Sequence, residues 1–144
     1  MLLSSLCGQG LIKDFDREVK TPGDKIDLTI KTQRDLHWIE LKHWLIGKQK
    51  GFLYSPNFYF GDRTSIGIVK DVDKLLRVAS PGSLWLLILL TANPGREAWL
   101  AGVEKFNSKF SPRGVNSLTR AEDFPRTYFL GVLEVCRPSG DMRA

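Results

Sequence analysis

The sequence predicts an α/β domain, a mixed sheet with helices on its faces. Three observations lead there. KIDLTIK at 25–31 and LHWIELKH at 36–43 alternate apolar and polar side chains, the period of a half-buried strand. LWLLILL at 84–90 is apolar throughout, as a central strand covered on both faces requires. Apolar residues recur at helical period over 65–79 and again over 96–110.

The elements follow in order. Leu2, Leu3 and Leu6 stand at helical spacing, and Gly8 and Gly10 should end a short helix. LIKDFDREV at 11–19 reads as extended, and TPGD at 21–24 as a turn. In the second strand Ile26, Leu28 and Ile30 face one way and Lys25, Asp27 and Thr29 the other. In the third, Ile39 and Leu41 are expected inward, with Trp38, Glu40 and Lys42 on the opposite side. An aromatic, glycine-bearing loop runs from Trp44 to Arg63, with helix near 45–50. The helix over 65–79 uses Ile66, Val69, Val72 or Asp73, and Leu76, and SPG at 80–82 stops it. After the strand at 84–91, ANPGREAW turns into a helix over 96–110 with Ala98, Val103 and Phe106 as core contacts. A polar loop follows, then a last strand near 127–136. Strands two and three are joined too tightly for a crossover and form a hairpin, whereas helices separate the later strands, which fits parallel entry.

A chain of 144 residues suits one domain, expected at 1–137, with a frayed tail at 138–144. Lys and Arg number 21 against 16 Asp and Glu, a net +5 that leans toward a polyanionic partner. Cys7 and Cys136 are too few for a disulfide scaffold, and no CxxC or Cys/His cluster offers a zinc site. MLLSSLCGQGL lacks a basic leader, and the longest apolar run falls far short of a membrane span of ~20 residues. A reduced, cytoplasmic setting is the expectation.

Strands avoid interior acids, yet Asp27 and Glu40 each sit in the middle of one. A tight turn centred on Gln33 and Arg34 would set them directly opposite, with Cβ atoms about 4.5–5.5 Å apart. Two carboxylates so placed repel. A divalent cation reverses that sign. Mg²⁺ takes one or two protein carboxylates besides waters and phosphate oxygens. The backbone carbonyl of Leu41 would be within reach as a further ligand. Lys42 points the same way as Glu40, about 6.6–6.8 Å along the strand. Its ammonium could hold the attacking water or offset transition-state charge.

An Asp in one strand and Glu-x-Lys in the next, with twelve residues between the acids, resembles the motif of the PD-(D/E)xK nucleases. The resemblance implies a restriction-endonuclease-like core of order αβββαβ, a mixed sheet flanked by helices. The second long helix and last strand would be additions or closing elements. It also implies Mg²⁺-dependent hydrolysis of a phosphodiester, usually in DNA, with Mn²⁺ as a substitute, by a DNA endonuclease. A homodimer could present two such sites to two strands. Many members add an acid from the first helix, where this sequence has none; Glu18 is the first substitute and Asp16 the second. Some place a Gln or basic residue after the third strand. Gln49 fits there, with Lys48 or Lys50 touching backbone phosphate.

Other residues offer less. His37 and His43 alternate onto the face opposite Glu40, and no HExxH exists. Phe52, Tyr54, Phe58, Tyr59 and Phe60 could stack on bases or pack over the sheet edge. Arg96 in NPGR, with Lys105, Lys109, Arg113 and Arg120, could grip phosphates or form a solvated face. The alternative function is a catalytically inactive nucleic-acid-binding or assembly domain of the same fold.

Overall fold

A computed structural model describes residues 2–61, 68–109, 116–123 and 126–137. The expected tail at 138–144, the start of the helix at 65–67 with Ile66, and Arg113 lie outside the described residues. Helix α1 (Leu2–Gly8) leads into strands β1 (Asp14–Thr21), β2 (Asp24–Lys31) and β3 (Leu36–Trp44). A small hairpin, β4 (Gly47–Gln49) and β5 (Phe52–Tyr54), precedes helices α2 (Pro56–Phe60) and α3 (Val69–Leu76). Strand β6 (Ser83–Leu90), helix α4 (Arg96–Lys109) and strands β7 (Asn116–Asp123) and β8 (Arg126–Val135) complete the order. The chain is α/β, with a mixed six-stranded sheet ordered β1-β2-β3-β6-β8-β7.

Strands β3 and β6 pair in parallel, Glu40 beside Leu86 and Lys42 beside Ile88. The other neighbours in this sheet are antiparallel. The expected parallel entry therefore holds for β6 and fails for β8. The reason is β7, which lies where a polar loop was expected. Helix α4 carries the chain from β6 to β7, and the tight return from Asp123 to Arg126 reverses β8. NSLTRAED has little apolar patterning because β7 pairs with β8 at the sheet margin.

Alternation in β6 buries Leu84, Leu86, Ile88 and Leu90, each worth about 1.5–3 kcal/mol over exposure. Trp85, Leu87 and Leu89, on its other face, are half-buried, so that face is less covered than the all-apolar run implied. Beneath the buried row lie Val72 and Leu75 of α3, Tyr59 and Phe60 of α2, and Trp99, Val103 and Phe106 of α4. Ala98 is exposed, and Trp99 takes the core position expected of it. Phe60 closes against Gly102, where any Cβ would collide with its ring.

The expected helix near 45–50 is instead the β4–β5 hairpin. Lys50 (φ 49°) and Gly51 (φ 78°) both take the left-handed conformation at its tip, as a two-residue hairpin turn demands. Trp44, fully buried, stacks on Tyr59 with centroids 4.7 Å apart, and the Tyr59 hydroxyl bridges the Leu45 carbonyl and N–H. This aromatic packing ties the end of β3 to α2.

Candidate active site

The β2–β3 register is the one expected, with Leu28 opposite Ile39 and Lys31 opposite Leu36. Its last pair is Leu28 and Ile39; the next position would join Asp27 to Glu40. There the strands part, and the two carboxylates replace the backbone ladder. Asp27 N–H donates to Glu40 Oε1 at 3.0 Å. Leu41 N–H donates to Asp27 Oδ2 at 2.9 Å. Each acid thus satisfies a backbone donor that the opening would leave unpaired. That is one physical reason for two acids inside strands.

The inward face of β3 differs from the expected one. Trp38, Glu40 and Trp44 are buried, as is Ile39 of the expected row, while Leu41 is 47% exposed. Pairing with β6 explains the reversal: Trp38, Glu40, Lys42 and Trp44 lie beside Leu84, Leu86, Ile88 and Leu90, the buried row. Alternation separates two faces and is silent on which one a helix will cover.

Helix α3 covers this one and brings charges of its own. Lys74 Nζ lies 2.7 Å from Glu40 Oε2, and Lys42 Nζ lies 2.7 Å from Asp71 Oδ2. The second contact is an ion pair without aligned hydrogen-bond geometry. Glu and Lys on β3 therefore meet Lys and Asp on α3 in crossed pairs. Glu40 is only 2% exposed. Its burial pushes the carboxyl above the usual range, against the lowering pull of the hydrogen bonds from Lys74 and Asp27. For Lys74, burial favours loss of the proton, but the Glu40 contact and the charges of Glu40, Asp27 and Asp71 outweigh it and raise the ammonium.

Asp71 and Lys74 are absent from the sequence reading. Their signal was the charge pair at i and i+3 flanking buried Val72 and Leu75 in VKDVDKLL. Glu18 stands in register between Arg17 and Val19, whose partners Leu28 and Ile26 flank Asp27. Its backbone is left-handed (φ 52°), strained for a glutamate, and its side chain, 73% exposed, reaches Lys25 Nζ at 3.3 Å. It neighbours the acids without touching them. The bond from Leu41 to Asp27 uses the N–H; the carbonyl has no role in it. Lys48, Gln49 and Lys50 are exposed on the β4–β5 hairpin, and Arg96 is exposed at the start of α4, away from the acids in the chain. His37 accepts from Trp85 Nε1 at 3.1 Å, and His43 is exposed.

A divalent cation fits the chemistry of these donors. Each acid has one oxygen anchored by a backbone N–H, which fixes the carboxylate and leaves its second oxygen for another partner. At Glu40 that partner is already a cation, the Lys74 ammonium. Among the described residues no group of three or more His, Cys, Asp and Glu side chains is placed to hold a metal by itself. Two carboxylates with water and phosphate are the Mg²⁺ mode. No helix among the described residues is long and apolar enough to cross a membrane. No protein-family model matches the chain, and neither the curated proteins nor the solved structures give a match.

Proposed function

We propose that this chain is a restriction-endonuclease-like, metal-dependent phosphodiester hydrolase acting on nucleic acid, a DNA endonuclease with Mg²⁺ as cofactor. The observation that carries the reading is the pair of anchored acids, Asp27 and Glu40, at the opening between β2 and β3, with Lys42 two residues on. Asp27 and Glu40 would hold the ion, with the Leu41 carbonyl as a further oxygen and Glu18 assisting from the adjacent strand. Bound there, Mg²⁺ would supply phosphate polarisation and a lowered pKa for water.

The chain's own residues do the rest. The backbone donors of Asp27 and Leu41 fix both carboxylates in direction. Lys42, once released from Asp71, brings an ammonium to the attacking water or to charge developing on phosphorus. Lys48, Gln49, Lys50 and Arg96, all exposed, contact backbone phosphate, which sets affinity more than sequence choice. A homodimer would pair two sites for two strands.

The test is a cleavage assay on linear, circular, branched and single-stranded substrates with Mg²⁺ or Mn²⁺. Asp27→Ala and Lys42→Ala should lower the rate by at least about 10²-fold with folding retained. Unchanged cleavage by purified Lys42→Ala overturns its role. One observation favours a second reading, a non-enzymatic nucleic-acid-binding or assembly domain: the site charges are already paired with one another. Failure to bind either ion, with or without DNA, selects that reading.

A further inference from the structure

The geometry points to a partner exchange on Glu40: Lys74 and the divalent cation hold Oε2 in turn, and Asp71 receives the ammonium that leaves. This rests on the nuclease reading. Glu40 Oε1 accepts the Asp27 N–H and Lys74 Nζ stands 2.7 Å from Oε2, so an ion arriving at this carboxylate meets the ammonium. Mg²⁺ binds oxygen at about 2.0–2.1 Å, which would set the two cations roughly 4 Å apart on one carboxylate buried from water, where their repulsion favours one at the expense of the other.

The displaced ammonium has a destination. Asp71 and Lys74 are three residues apart on α3, hence neighbours on one helix face. Asp71 already exerts an electrostatic pull on Lys74. It also holds Lys42 through a contact without hydrogen-bond alignment. A second ammonium at Asp71 divides that hold and frees Lys42 toward the substrate. Without the ion, the crossed pairs keep both lysines occupied and Glu40 compensated. Lys74 is then a positioning residue that ties release of Lys42 to arrival of the ion.

Calorimetric titration with Mn²⁺ alone tests this on the full chain. If the pair with Lys74 closes Oε2 about nine-tenths of the time, Lys74→Met should bind Mn²⁺ about tenfold more tightly. Lys70→Met removes the same charge from an exposed position on the same helix and should change affinity by less than about twofold. The gain should vanish in Lys74→Met/Glu40→Gln. Mn²⁺ should also raise the melting temperature of Lys74→Met more than that of the parent. Lys74→Gln, which keeps a donor for Glu40 without its charge, provides the same comparison if the methionine variant does not fold. Equal affinities of parent and variant, an equal gain from Lys70→Met, or a gain that survives Glu40→Gln overturns the exchange while leaving the nuclease reading intact. Absence of Mn²⁺ binding in both parent and variant, with DNA as well as without it, removes the two together.

Discussion

Replacing Lys74 by methionine keeps all but the last atom of the side chain's length and deletes its charge, leaving the Glu40 carboxylate buried with Oε2 uncompensated. Removing one member of a buried ion pair costs about 3–5 kcal/mol. The Lys74 side chain is 19% exposed, so solvent reaches its end of the pair and about 2–3 kcal/mol is the expected loss. For a chain of this length that is a fall in melting temperature of roughly 5–10 °C. Urea denaturation without divalent ions, followed by tryptophan fluorescence, measures it. Adding Glu40→Gln removes the stranded charge, so the double variant should recover at least about 1 kcal/mol relative to Lys74→Met alone. A loss below about 0.5 kcal/mol, or a double variant as unstable as the single one, would refute the claim that Lys74 compensates Glu40.

Two further outcomes follow from the same geometry. Burial raises the Glu40 carboxyl, so the folded chain keeps that proton to higher pH than the unfolded chain. Its contribution to stability is full below the unfolded value and is lost as pH rises through the folded one. Glu40→Gln cannot titrate and should flatten the decline, a difference read from melting temperatures between acid and neutral pH. Gly102→Ala drives a methyl into the Phe60 ring, itself wedged edge-on against Trp44 and Trp99, and should cost about 1–3 kcal/mol by urea denaturation.

The centre of the sheet was legible because alternation in β2 and β3 and the apolar run of β6 are local signals. The register was legible too, since a short turn between Lys31 and Leu36 leaves few pairings. β7 was not, because an outer strand paired to one neighbour can be polar at nearly every position. The orientation of β3 was not legible, because its helix-facing row mixes Trp38 with Glu40 and Lys42 and alternation does not say which face a helix will cover. Those charges are inside because α3 supplies their counterions, and a contact between elements thirty-odd residues apart leaves no periodic trace. The two acids themselves were visible as residues out of place in strands. Their anchoring by backbone donors was not, since it follows from where the ladder stops.

β1 is the outermost strand beside β2, and Asp14, Asp16, Arg17, Glu18 and Lys20 along it are all exposed. Another extended chain approaching that margin would have to strip water from this row of ionised groups. The rim next to the acids is thereby guarded against the pairing that an uncharged edge would invite.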